Sequence, residues 1–201
     1  MATSNHIDPA AITCWTRTGP QIEAFCLFAL LVSGKDSFVI APALNAMLDA
    51  FELVGETPFA TIRRLSASGQ LYASLQAFGL HGQHTRMLRA LPALASFDLS
   101  DFRTASPEQL IERLEAVYGI GAKSSRFILL HNREGLTLAA LDRHILRFLR
   151  AKGHKTPKGD KTPTAKGTYA RLSAAFIAEA ARLGQTPAAL DFALWSEAAI
   201  A

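Results

Sequence analysis

Three observations on this 201-residue chain predict an all-α fold. Apolar residues recur at helical spacing along most of its length, proline-led cap signals open several of those stretches, and sustained period-2 alternation with hairpin turns is nowhere found. No internal repeat is evident. With 49% hydrophobic and 19% charged residues, the composition argues against disorder. The length allows a proper core, in one domain or two small lobes.

The helices can be justified in order. Gln21 to Val32 is an apolar helix whose longest uninterrupted stretch, Ala24 to Val32, is roughly half of the ~20 residues a membrane span needs, so it reads as a buried helix. Pro42 to Val54 reads as the next, with Leu44, Met47, Leu48 and Phe51 on one face. Thr57-Pro58 supplies a cap and a first-turn proline for a helix ending near Gly69. Gln70 to Phe78 forms a further short helix. His84 to Leu94 is basic and amphipathic, and Pro92 is expected to end or kink it.

Ser106-Pro107-Glu108-Gln109 is a capping box with proline at the first helical position, and its helix runs through Leu110, Leu114 and Val117. Gly119 then stands where a left-handed residue belongs. Thr168 to Leu183 is a helix stopped by Gly184, and Thr186-Pro187 opens the last one.

Cys14 and Cys26 cannot build a disulfide framework and are too few for a four-cysteine zinc or iron-sulfur site, so reduced, buried thiols are expected. MATSNHIDPAAITCW carries neither a basic start nor an apolar stretch before a small-residue cleavage site. The expected location is the cytoplasm. The net charge is +4, and residues 151–168 hold five lysines (152, 155, 158, 161, 166) against Asp160, a local +4 that leaves the rest near neutral. That loop is either a solvated linker or, beside a phosphate-binding motif, a contact for a nucleic-acid backbone.

The chemistry concentrates in YGIGAKSSRFILLH, starting at Tyr118, and LDRHILRFLR. Gly119 and Gly121 permit positive φ and close backbone approach, and Ile120 can plug the gap between helices. The amides of Ala122, Lys123 and Ser124 are then the unpaired donors of a new helix, a natural phosphate site. A glycine C-cap followed by a flexible residue has the same sequence pattern. Lys123 faces the positive end of its helix dipole, which with partial desolvation favours the neutral, nucleophilic amine over the ammonium. Otherwise it is an exposed lysine. Asp142 follows an apolar run and begins RHILRFLR, where aspartate is among the best caps. The same carboxylate can also face a cleft near Lys123.

These residues resemble the helix-hairpin-helix DNA glycosylases. LDRHILRFL, with TPAALDFALW near the end and FCLFALLVSG near the start, is most similar to the second-type archaeal and bacterial 8-oxoguanine DNA glycosylase/AP lyases. The match runs from about Leu110 to Trp195 and is looser upstream. The resemblance implies one glycosylase unit of two interleaved helical lobes, with a hairpin over 107–131, a basic loop over 151–168 and a cleft between the lobes. It implies that Lys123 attacks C1′ and forms a Schiff base, and that Asp142 assists and stabilises the cationic sugar. Gly119, Gly121, Ala122 and Ser124 grip phosphate, often with a monovalent cation on the hairpin carbonyls. His144 contacts backbone phosphate or is structural, Lys155 and Lys158 bind the strand, and Trp195 with Phe192 lines the pocket for an everted base.

No catalytic metal and no iron-sulfur cluster are implied. The partner is double-stranded DNA carrying a damaged base, handled by a nucleoid-associated monomer with no membrane contact. The chain departs from that subfamily in its EAAIA end, which lacks a basic, glycine-containing tail, and in GLHGQH, which lacks an aromatic. Both bear on which base is excised. The rival readings are a helix-hairpin-helix module that binds DNA without cutting it, and a glycosylase for another modified base.

Overall fold

A computed structural model describes residues 5–82 and 84–200. Gln83 of GLHGQH and the final Ala201 lie outside the described residues. Within them the fold is all-α. The helices are α1 Gly19–Leu31, α2 Ser37–Phe51, α3 Pro58–Ala67, α4 Leu71–Ala77, α5 His84–Ala95, α6 Pro107–Glu115, α7 Ala122–Leu130, α8 Arg143–Ala151, α9 Lys166–Arg182 and α10 Pro187–Ile200, with a 3-10 turn at Lys158–Asp160. None of them is long and apolar enough to cross a membrane.

The chain divides into two units: the first holds Met1–Ala11 and Thr16–Ile120, the second Ile12–Trp15 and Gly121–Ala201. In the first unit, α1 is apolar all round, and Ala24 to Val32 are all buried, as a central core helix requires. A capping box of Thr18 and Gln21 starts it. Thr57 caps α3 through the Ala60 amide, and the Ser106–Gln109 box opens α6 with both reciprocal bonds formed.

Several boundaries differ from the sequence expectation for local reasons. α2 begins at Ser37 rather than Pro42, because the Asp36 carboxylate caps the Phe38 amide, and Pro42 is carried inside the helix. α5 likewise continues past Pro92, since burying Leu91, Leu94 and Ala95 outweighs one lost backbone bond. α6 stops at Glu115, short of Val117. α9 starts at Lys166 without a side-chain cap, so the basic loop is shorter than expected and its last lysine is helical.

The second unit is built around Leu141, Ile145, Leu146 and Leu149 from the approach to α8 and its inner face, packed with Tyr169, Leu172 and Phe176 of α9 and Leu190 of α10. These positions recur at three and four residues, which aims one stripe of each helix inward. Cys26 is fully buried, and burial pushes its thiol well above the ordinary range. Cys14, expected buried, is only half-covered; it lies in the Ile12–Trp15 segment of the second unit and donates its amide to the His131 carbonyl.

Candidate nucleic-acid and catalytic site

The turn before α7 separates the roles of its two glycines. Gly119 has φ +92°, and a Cβ there would stand 2.8 Å from Ala90 Cβ and 3.4 Å from Leu30 Cδ1, so both conformation and space require glycine. Gly121, expected to share that freedom, is extended at φ −115°, exposed, and has nothing within 4 Å of a built Cβ. The fold does not need a glycine there. Ile120 between them is buried. The Gly119 carbonyl accepts from Arg86 Nη2 at 3.0 Å. A monovalent cation at that oxygen would sit beside a guanidinium charge, so the turn fits such an ion poorly.

Gly121 caps α7 without a side-chain acceptor, and the first chain-internal bond of that helix runs from the Ser125 amide to the Gly121 carbonyl. The amides of Ala122, Lys123 and Ser124 therefore have no acceptor within the described residues, as an anion-binding helix start requires. The Ser124 side chain itself is buried.

Lys123 is half-buried, and its ammonium lies 4.6 Å from the centre of the Phe127 ring. Among the described residues it forms no ion pair. One turn on, Phe127 meets the His131 ring edge-on at 4.7 Å and the Trp195 ring at 6.3 Å. Trp195 thus stands beside the aromatic ring that carries Lys123. Phe192, on the same helix as Trp195, is half-buried.

Asp142 caps α8, with Oδ1 accepting from the His144 amide at 2.8 Å and the Ile145 amide at 3.0 Å. Both bonds use one oxygen. His144 is half-buried, its Nε2 accepts from Arg143 Nε at 3.2 Å, and its protonation is disfavoured by burial, with the Asp142 charge opposing.

Sequence reasoning missed a buried group in the same unit. Asp191 is buried, its Oδ2 lies 3.1 Å from His131 Nε2, and Thr13 Oγ1 lies 2.7 Å from His131 Nδ1. Burial pushes the Asp191 carboxyl above its usual range, the His131 hydrogen bond and charge oppose this, the Asp142 charge adds to it and the Lys123 charge subtracts. Lys123 and Asp142 are thus both within electrostatic reach of one buried carboxyl group. The available signal was HN directly after the apolar FILL run that ends α7: His131 and Asn132 are both fully buried.

Tyr169 ties the two helix starts together. Its hydroxyl lies 2.8 Å from the Ala139 carbonyl and 3.2 Å from the Ala122 carbonyl, and it accepts from the Leu141 amide at 3.3 Å. A cavity of about 270 Å³ in the same unit is lined by Trp15, Leu130, Leu136 and Pro187, among others, and not by Lys123 or Asp142. No group of three or more His, Cys, Asp or Glu among the described residues is arranged to hold a metal.

Charge divides unevenly between the units. The second unit holds 13 Lys and Arg against 6 Asp and Glu, a net +7; the first holds 8 against 11, a net −3. The near-neutral remainder outside residues 151–168 hides this split. Lys155 and Lys158 are exposed, as are Arg143, Arg147 and Arg150 of α8. No protein-family model matches the chain, and no curated protein matches it.

Proposed function

We propose that the chain is a base-excision DNA glycosylase with AP lyase activity, acting on an oxidised purine of the 8-oxoguanine type. The observation that carries the reading is the placement of Lys123 and Asp142 at two helix starts bridged by Tyr169, with the Lys123 amine in no ion pair among the described residues. The +7 unit and the open amides of α7 support a nucleic-acid partner.

The chemistry follows from those groups. Phosphate on the α7 amides and the loop lysines holds the strand while one nucleotide leaves the stack, at a cost of a few kcal/mol. The Lys123 nitrogen, once it has given up a proton, attacks C1′; the C1′–N bond breaks, and the base departs with its electron pair and takes up a proton. The nitrogen then passes a proton to O4′ as the C1′–O4′ bond breaks and the sugar ring opens, leaving a C1′=N iminium. Loss of a C2′ proton expels the 3′ phosphate. Asp142 Oδ1 is engaged as a cap, while Oδ2 accepts none of the capping bonds and can balance the positive charge on the sugar.

Borohydride trapping on a duplex with a single 8-oxoguanine tests the reading. Wild-type protein should give a covalent adduct and Lys123→Ala none. Equal trapping by the variant removes Lys123 from this role, and an intact oligonucleotide across a panel of lesions leaves only a binding protein.

A further inference from the structure

The exposed side of α8 carries Arg143, Arg147 and Arg150, spaced four and three residues apart and so on one face, with Arg147 about 6 Å along the axis from Arg143. Beneath two of them lies an acid. Asp160 Oδ2 accepts from Arg147 Nε at 2.8 Å and Oδ1 from Arg150 Nη2 at 2.6 Å. The guanidinium side chains are 63% and 48% exposed and the carboxylate only 15%, so the acid sits at the base of the pair while the cations face solvent. Arg150 is steadied further by Thr156 Oγ1 and the Pro157 carbonyl.

We propose that Arg143, Arg147 and Arg150, with Lys158 and Lys161 of the following loop, form a track for the phosphates of one strand of duplex DNA, and that Asp160 is the positioning residue that aims Arg147 and Arg150 into it. This rests on the nucleic-acid reading above and adds to it residues and a device that reading does not contain. The chemistry favours phosphate: guanidinium forks offer paired N–H donors that match two oxygens of one anion, and each arginine here keeps N–H groups that its intramolecular partners do not use. The spacing along α8 is close to that between neighbouring phosphates. Asp160 is also the one non-glycine residue with positive φ (54°) among the described residues, a local strain held in place by its two arginines.

The loop does not depend on Asp160 alone. Thr162 Oγ1 donates to the Leu141 carbonyl at 2.9 Å and Arg171 Nη2 to the Lys155 carbonyl at 2.7 Å. Asp160→Asn can therefore be read without loss of the loop, and asparagine tolerates the left-handed conformation.

The sign of one substitution decides the proposal. Removing a negative charge from a basic surface should by itself tighten DNA binding; removing a fixture that orders two arginines should weaken it. Fluorescence anisotropy with an undamaged duplex is expected to show Asp160→Asn binding about threefold more weakly or worse, on the scale of one or two side chains left to be ordered on binding. Arg147→Gln should also weaken binding and lower the slope of log Kd against log salt by about 0.9 per lost contact. The double variant Arg147→Gln/Asp160→Asn should lose less than the two single losses combined, because Asp160 acts through the arginines. Glu179→Gln, which removes a similarly covered carboxylate paired with Arg182 in the same unit, should bind as wild type or slightly tighter.

Tighter binding by Asp160→Asn, or a change equal to that of Glu179→Gln, overturns the proposal while leaving the glycosylase reading intact. Tighter binding to single-stranded RNA than to duplex of equal length replaces the partner and overturns it too. A wild-type protein that binds no duplex defeats the nucleic-acid reading itself, whereas the predicted binding pattern without lesion cleavage defeats only the enzymatic part.

Discussion

The phenol of Tyr169 donates to the carbonyl of Ala139 at 2.8 Å, three residues before Asp142, and the same oxygen lies 3.2 Å from the carbonyl of Ala122, the neighbour of Lys123. One buried hydroxyl on α9 therefore sets the spacing between two helix starts that share no helix. The Arg126 guanidinium lies over the Tyr169 ring at 4.6 Å and donates to the Ala122 carbonyl at 2.9 Å, which closes the fixture from the other side.

Removing that hydroxyl strands a buried carbonyl and the Leu141 amide, each of which costs of the order of 1–3 kcal/mol when left unpaired. Tyr169→Phe should lower the melting temperature by several degrees. Below the melt, borohydride trapping should fall further than duplex binding, since the amides and cations that hold phosphate do not involve Tyr169. Unchanged trapping in a destabilised protein would make it a core residue and nothing more.

Asp142→Asn separates capping from chemistry. Asparagine caps a helix about as well as aspartate, so thermal stability should stay within about 0.5 kcal/mol of wild type. Duplex affinity should hold as well. Single-turnover excision should slow by orders of magnitude, because a neutral amide cannot balance a cationic sugar. Wild-type rates from this variant would reduce Asp142 to its cap.

The glycines of the turn should respond oppositely. Gly119→Ala places a methyl group against Ala90 in a left-handed conformation, and the conformational part alone is worth about 1–2 kcal/mol. Circular dichroism should show a clear loss of thermal stability. Gly121→Ala, extended and unopposed, should melt as wild type, and any weakening of duplex binding in that variant reports on phosphate at the exposed turn.

Glu56 offers a test of the fold away from the site. Its carboxylate takes Arg64 Nε at 2.8 Å and Nη2 at 3.0 Å, with further bonds from Thr61 and the Leu53 amide, and the Arg64 bonds hold its pKa down at about 2 against an ordinary 4.5. A depressed acid stabilises the folded state above its unfolded pKa and stops doing so as pH falls through the folded one. The stability difference between wild type and Glu56→Gln should therefore be constant above about pH 4.5 and shrink between there and about pH 2. Urea unfolding across that range measures it, and a difference that does not change with pH would remove the pairing.

Much of the fold was legible in the sequence because helix starts are local events. Ser106 with Gln109, Thr57 with Pro58, and Asp142 with the two amides beyond it each complete their hydrogen bonds within three residues, so a short window contains both partners. Of the misplaced starts, Ser37 lay near a stronger signal at Pro42 and Lys166 has no side-chain cap, while Gly19, two residues before the expected Gln21, follows the Thr18–Gln21 box.

By itself, then, the sequence determined the helical class, most of the helix starts, and the presence of a lysine and an aspartate at two of them. Tertiary structure alone decided what surrounds those two groups. The His131–Asp191 pair joins residues 60 apart, Tyr169 reaches 47 residues back to Ala122, and Asp160 closes on arginines 10 and 13 residues away. No periodicity encodes such contacts, because they form between elements that only burial of a shared core brings together. The charge split, by contrast, already lies along the chain: residues 1–120 carry −3 and residues 121–201 carry +7, and the Ile12–Trp15 segment that joins the second unit is uncharged.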